Sequence, residues 1–168
     1  LCDNVEVMNI DVEHLGDGVL FWGTDNSKIH NKIISENIRG IRMEQSYNNE
    51  IFDIVGQFNT EAGIYVANSD RNTIESINAN QNGYGILLNS SDENNIKNTY
   101  IINNNESGIY IIDSRINNLS NVTSAMNLRY GIYLKSSSEN KIINSNPIIN
   151  TEHGIFLDDS SYNSIIQN

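Results

Sequence analysis

The chain has 168 residues, 38% of them hydrophobic, with one proline, one cysteine and a net charge of −11 at pH 7. This balance disfavours a nucleic-acid partner, whose phosphates call for clustered Lys and Arg. Cys2 alone gives neither a disulfide framework nor a thiolate metal cluster, and no apolar run approaches the ~20 residues that span a bilayer, so no membrane insertion is expected.

Val7 already fits an aliphatic column that recurs down the chain, so the sequence opens inside a repeat. Seven glycines then follow at intervals of 22 or 23 residues: Gly18, Gly40, Gly63, Gly85, Gly108, Gly131 and Gly154. A period of this length is the signature of a solenoid in which one repeat forms one coil. The first position after each glycine holds Val19, Ile41, Ile64, Ile86, Ile109, Ile132 and Ile155. The third holds Phe21, Met43, Val66, Leu88, Ile111, Leu134 and Leu157. Two apolar columns one residue apart mark a strand with one buried face, and their β-branched character suits a pleated surface.

Further along each repeat the sixth position is hydroxylated: Thr24, Ser46, Ser69, Ser91, Ser114, Ser137 and Ser160. The ninth is Asn49, Asn72, Asn94, Asn117, Asn140 and Asn163, with Ser27 in the first repeat. The eleventh is aliphatic from Ile29 to Ile165. The nineteenth is Asn37, Asn59, Asn82, Asn104, Asn127 and Asn150. The two Asn columns bracket a second and a third short strand. Asn suits such bends because it tolerates left-handed backbone angles, and stacked in register its amide can bond the next coil. Glycine is expected to supply the sharp entry to the first strand. The predicted fold is all-β: a right-handed parallel β-helix of about seven coils of 22–23 residues, three short strands per coil, stacked about 4.8 Å apart. The thirty Asn would suit a disordered tract, but the twenty-seven Ile fall largely on interior columns.

One β-helix domain over 1–168 is expected. No capping helix is legible at either end, and solenoids need polar caps, so the expectation is a segment of a longer protein with neighbouring domains in the same chain.

The consensus of Gly131-Ile132-Tyr133-Leu134 through Ser137, Asn140 and Ile142 resembles the β-helix repeats of NosD-type proteins. These sit in the wider group of carbohydrate-binding proteins and sugar hydrolases, within the pectin-lyase-like superfold. The resemblance implies the fold over essentially the whole chain. For function it implies several roles: copper handling in the periplasm, surface-layer or adhesin-like display, uronate epimerisation or polysaccharide cleavage. An extracellular, cell-surface or periplasmic location follows from the same resemblance.

In enzymes of that superfold the substrate lies along the exposed face of one sheet. Here the outward column of the first strand reads Leu20, Arg42, Tyr65, Leu87, Tyr110, Tyr133 and Phe156, bordered by Tyr84, Tyr130 and His153. Tyr65, Tyr110, Tyr133, Phe156, Tyr130 and His153 are therefore candidate ligand-binding residues, their rings stacking on a polysaccharide. Ring-on-ring packing between neighbouring strands is the ordinary alternative. Catalytic candidates are Asp113 and Asp159, two coils apart in the fifth column and so roughly 9–10 Å from each other, together with Asp158. Lys135 lies one coil below Asp158, where a surface ion pair is expected. Imidazole and soft ligands are scattered: His14, His30 and His153 occupy different columns, so no internal copper site is expected. Calcium at Asp92-Glu93 or Asp158-Asp159 is chemically open, because hard oxygen ligands suit it, but no cofactor is assigned. The Ser and Asn columns recur in every coil, which marks scaffold rather than a nucleophile. Three functions follow in order: a non-catalytic structural or polysaccharide-recognising segment, a carbohydrate-active enzyme (lyase, epimerase or hydrolase), and a copper-handling protein.

Overall fold

A computed structural model describes residues 2–9 and 11–167. It forms a right-handed parallel β-helix. Along one side runs a seven-stranded parallel sheet built from Asp17–Trp22, Arg39–Glu44, Ala62–Ala67, Tyr84–Asn89, Ile109–Ile112, Tyr130–Lys135 and His153–Asp158, here called the first sheet. The second sheet takes the return segments, among them Lys28–Ser35, Glu50–Gln57, Thr73–Asn80, Asn95–Ile102 and Asn118–Ala125. Equivalent columns pair in register, as in Ile64 with Ile86 and Ile86 with Ile109.

Each long return strand has a left-handed residue at its middle: Asn31 (φ 53°), Asp53 (φ 54°), Ser76 (φ 54°), Asn98 (φ 53°) and Asn121 (φ 52°). The bend there divides the ladder into two short strands, so every coil has three sides. Inside lie the two glycine-following columns and the eleventh column: Ile41, Ile64, Ile86, Ile109 and Ile132 are fully buried, as are Ile29, Ile51, Ile74, Ile96, Leu119 and Ile142, whereas Leu157 and Ile165 of the last coil are exposed.

The walls of this core are hydrogen-bonded ladders. Asn72 Oδ1 accepts the backbone N–H of Asn49 (2.9 Å) and its side-chain amide (3.1 Å), while Asn72 Nδ2 donates to the Ser46 carbonyl (3.0 Å) and to Asn94 Oδ1 (3.1 Å). The nineteenth column repeats the pattern, with Asn59 N–H donating to Asn82 Oδ1 at 2.9 Å. Hydroxyls form a third ladder, in which Ser46 N–H donates to Ser69 Oγ (3.0 Å) and Ser69 N–H to Ser91 Oγ (3.1 Å).

Two expectations about local chemistry change. The ladder Asn residues do not take left-handed angles; the residue immediately before each does, whatever its type, as in Phe58 (φ 57°), Ile116 (φ 60°) and Met126 (φ 54°). Coil closure sets the angle and overrides side-chain preference. Nor do the repeat glycines need positive φ, which among glycines belongs to Gly23 (φ 58°) in the fifth-position turn. They are needed for close approach, since a Cβ on Gly40 would lie 2.5 Å from the Gly63 carbonyl oxygen.

A stability prediction follows. Ile149 is 76% exposed and holds φ 57°, and a left-handed angle costs an ordinary L-residue about 1–2 kcal/mol. Ile149→Asn, whose side chain tolerates that angle, is expected to raise unfolding free energy by about 1 kcal/mol, read from the urea midpoint at unchanged slope.

Candidate functional site

The outer face of the first sheet gathers more side chains than simple alternation allows, and the cause is a slip at each glycine. Tyr84 N–H donates to Glu61 of the coil before (2.7 Å). Gly85 N–H and Ile86 N–H then both donate to the coil after, at 3.2 Å to Ser107 and 2.9 Å to Gly108. Two successive donors on one side break the alternation, so the residue before the glycine and the residue two after it share the outer face.

In the C-terminal half this arrangement brings aromatic rings together. Tyr84 stacks on Tyr110 (centroids 5.4 Å), Tyr110 on Tyr133 (4.7 Å, interplanar angle 11°), and Tyr133 packs against Phe156 (5.1 Å). Tyr130 stacks on Phe156 (4.9 Å) and on His153 (5.8 Å), and leans on Tyr133 (4.9 Å). Coils are spaced like ordinary strands, close to the thickness of stacked rings. The faces of Tyr110 and Tyr133 are thus used on each other, and edges and hydroxyls remain for solvent. Of the two arrangements open to this column, ring-on-ring packing between neighbouring strands is present.

The hydroxyls are held neutral. Tyr133 donates to Asp158 Oδ2 (2.9 Å), and burial together with that carboxylate pushes its pKa up to about 12. Burial likewise raises Tyr84 and Tyr110. Arg129 lies over the Tyr130 ring at 4.9 Å and donates to its hydroxyl at 3.1 Å. The same guanidinium meets Glu152 at 3.0 Å and Glu106 at 3.4 Å. The Tyr130 hydroxyl, then Arg129, hold Glu152 below the usual carboxylate range.

The N-terminal half of the face is charged instead. Arg39 Nε donates to Asp17 Oδ1 (2.6 Å), reaches Glu61 (3.4 Å) and covers the Tyr65 ring at 5.5 Å. Arg42 meets Glu44 (3.2 Å) and Asp17 (3.6 Å). Leu87, 7% exposed, pairs in register with Tyr65 and with Tyr110 and so separates Tyr65 from the ring ladder.

Of the residues singled out from sequence, Tyr110, Tyr130, Tyr133, His153, Phe156 and Asp158 come together, and Tyr65 stands apart on Arg39. Asp113 (φ 50°) and Asp159 (φ 50°) are exposed residues of the turn column beyond the strand ends. Asp113 borders a shallow groove with Ser114, Arg115, Ser136 and Ser138. Asp158 bonds the Tyr133 hydroxyl rather than forming the expected pair with Lys135. Sequence reasoning missed Glu106, Arg129 and Glu152 and the trio Asp17, Arg39 and Glu61. Their signal was present, because charges of opposite sign recur at intervals of 22 or 23 residues, one coil apart.

A right-handed parallel β-helix with a polar and aromatic ladder along one sheet defines the class. The model of the family described as "Periplasmic copper-binding protein (NosD)" matches residues 3–168, and the chain belongs to that family. No curated protein matches it. Among solved structures, the A-module of the Azotobacter vinelandii mannuronan C-5 epimerase AlgE4 is similar with a TM-score of 0.86 at 17% identity, covering 99% of this chain and 53% of that one. A variant of the periplasmic alginate epimerase AlgG gives 0.80 at 17% identity, covering 95% and 50%. DFA-IIIase from Arthrobacter chlorophenolicus in complex with GF2 gives 0.71 at 12% identity, covering 98% and 54%. The chain spans about half the length of these structures, and at such identities the fold is what is shared.

Copper, named in the family description, needs gathered imidazole or sulfur donors. His14 sits 3.3 Å from Glu36, His30 bonds Glu6 at 2.8 Å and stacks on Phe52, and His153 stacks on Tyr130. Among the described residues no three His, Cys, Asp or Glu side chains converge. The three imidazoles are held apart, each on a partner of its own. Of the acids considered for calcium, Asp92 Oδ1 accepts the Arg115 N–H at 2.8 Å and Asp158 Oδ2 accepts the Tyr133 O–H at 2.9 Å.

Proposed function

We propose that this chain is a glycan-recognising β-helix segment of a cell-envelope protein, binding along the outer face of its first sheet without transforming the ligand. The unbroken run of Tyr84, Tyr110, Tyr133 and Phe156 down the helix axis carries this reading. It offers a rigid row of ring edges and hydroxyls flanked by carboxylates, a surface suited to sugar C–H and O–H groups. Two structural neighbours are named as mannuronan or alginate epimerases, which supports a saccharide ligand by analogy of fold. The periplasmic wording of the family description supports an envelope location. A non-catalytic role agrees with Asp113 and Asp159 standing in the turn, and with a Tyr133 hydroxyl whose high pKa makes it a poor base at neutral pH.

The convergence of Tyr130, Tyr133, His153 and Asp158 on neighbouring coils favours a second reading, a carbohydrate-active enzyme. A binding measurement and a turnover assay together separate the two. Binding to a glycan array is expected for the native chain and should fall at least tenfold in the variant carrying Tyr110→Ala and Tyr133→Ala. Equal or absent binding in both leaves a structural role, whereas turnover that disappears in Asp158→Asn would install the enzymatic reading.

A further inference from the structure

Resting on the reading of this face as a glycan surface, we infer that the polysaccharide it takes is free of carboxylates and is held through its hydroxyls, not a uronate polymer. Recognition of a polyanionic sugar chain calls for guanidinium edges that can fork onto its carboxylates. The three guanidinium groups on this face have acidic partners already. Arg39 lies between Asp17 (2.6 Å) and Glu61 (3.4 Å), and Arg42 between Glu44 (3.2 Å) and Asp17 (3.6 Å). Arg129 lies between Glu152 (3.0 Å) and Glu106 (3.4 Å), its remaining nitrogen donating to the Tyr130 hydroxyl.

Five carboxylates thus surround three guanidinium groups, and Asp158 adds a sixth acid beside the rings, with Lys135 its neighbour in register. A uronate that broke one of these pairs would leave a protein carboxylate facing its own, a like-charge contact in place of an ion pair. The chain's net charge of −11 opposes the approach of such a polymer as well. A hydroxyl-rich neutral chain meets the opposite situation. Glu61, Glu106 and Glu152 have side chains 39%, 42% and 41% exposed. Each ionised carboxylate keeps lone pairs beyond those its arginine uses, so it can accept sugar O–H donors without breaking a pair.

Affinity electrophoresis of the whole chain in gels carrying galactomannan, mixed-linkage glucan, alginate or polygalacturonate tests this at low and at physiological salt. Retardation by one or both neutral polymers and none by the uronates is the expected result. The variant with Glu106→Gln and Glu152→Gln frees two edges of Arg129 and should gain at least tenfold in alginate affinity. Wild-type retardation by alginate or polygalacturonate equal to or stronger than that by neutral polymers overturns the inference and leaves the glycan reading standing. A double variant still blind to alginate overturns it too, by removing the carboxylate bracket as the cause. Retardation by none of the four polymers strikes the glycan reading itself.

Discussion

Asn82→Ala is expected to destabilise the fold by roughly 4 kcal/mol, the sum of two buried donors left without acceptors at about 1–3 kcal/mol each. Asn82 is fully buried, and its Oδ1 accepts both the backbone N–H of Asn59 (2.9 Å) and the Asn59 side-chain amide (2.9 Å). Its own amide donates to the Gly56 carbonyl (3.0 Å) and to Asn104 Oδ1 (3.3 Å). Alanine removes all four of these bonds while leaving the Asn82 backbone N–H on Asn104 Oδ1. Water cannot replace them without parting the coils. The loss is a large share of the ~5–15 kcal/mol that holds an ordinary domain. Urea unfolding should show it as a lower midpoint, and amide exchange should locate it at Asn59, whose N–H loses its acceptor. The control is Asn105→Ala, an exposed position outside the ladders, expected to stay within about 0.5 kcal/mol.

The same ladder shows what a single sequence reveals and where it stops. The columns Ile41 to Ile132 and Ile29 to Ile142 are legible because a buried strand face must be apolar in every coil. The Asn columns are legible because a buried bend must satisfy its backbone donors and acceptors each time it recurs. The left-handed positions are not legible, since Phe58, Ile116 and Asn103 occupy them with no shared chemistry. The aromatic column was visible, and ring-on-ring packing was one of the two readings it allowed. Rings one strand spacing apart in register pack on each other before they can offer a face to a ligand, a consequence of spacing rather than of residue type. Charge pairing was half visible. Glu106, Arg129 and Glu152 follow at intervals of 23 residues, yet Asp158 prefers Tyr133, 25 residues away, to Lys135 directly beneath it. Diagonal contacts of that kind depend on side-chain reach, which column alignment does not encode.

Glycine replacement at the slip should be nearly as costly and should reach the outer face. Gly85→Ala would place a methyl 2.3 Å from Ile101 Cγ2, 2.6 Å from the Gly108 carbonyl oxygen and 3.1 Å from Asn104 Nδ2. The Ile101 side chain could shift only into a filled core. The Gly108 oxygen is worse placed to yield, because it accepts the Ile86 N–H at 2.9 Å and so joins one coil to the next. Overpacking of this kind costs about 1–3 kcal/mol and more where backbone is the obstacle, so a loss of about 3 kcal/mol is expected in urea unfolding. Gly16→Ala supplies the contrast, since a Cβ there meets nothing within 4 Å and the position should be neutral or slightly stabilising. Gly85 also creates the double donation that turns Tyr84 onto the face beside Tyr110. A coil forced away at this point separates those two rings. Gly85→Ala should therefore weaken the near-ultraviolet tyrosine dichroism and glycan retardation together, at denaturant concentrations where the far-ultraviolet strand signal persists. If stability falls while dichroism and retardation stay as in the native chain, the slip is not what seats Tyr84 in the ladder.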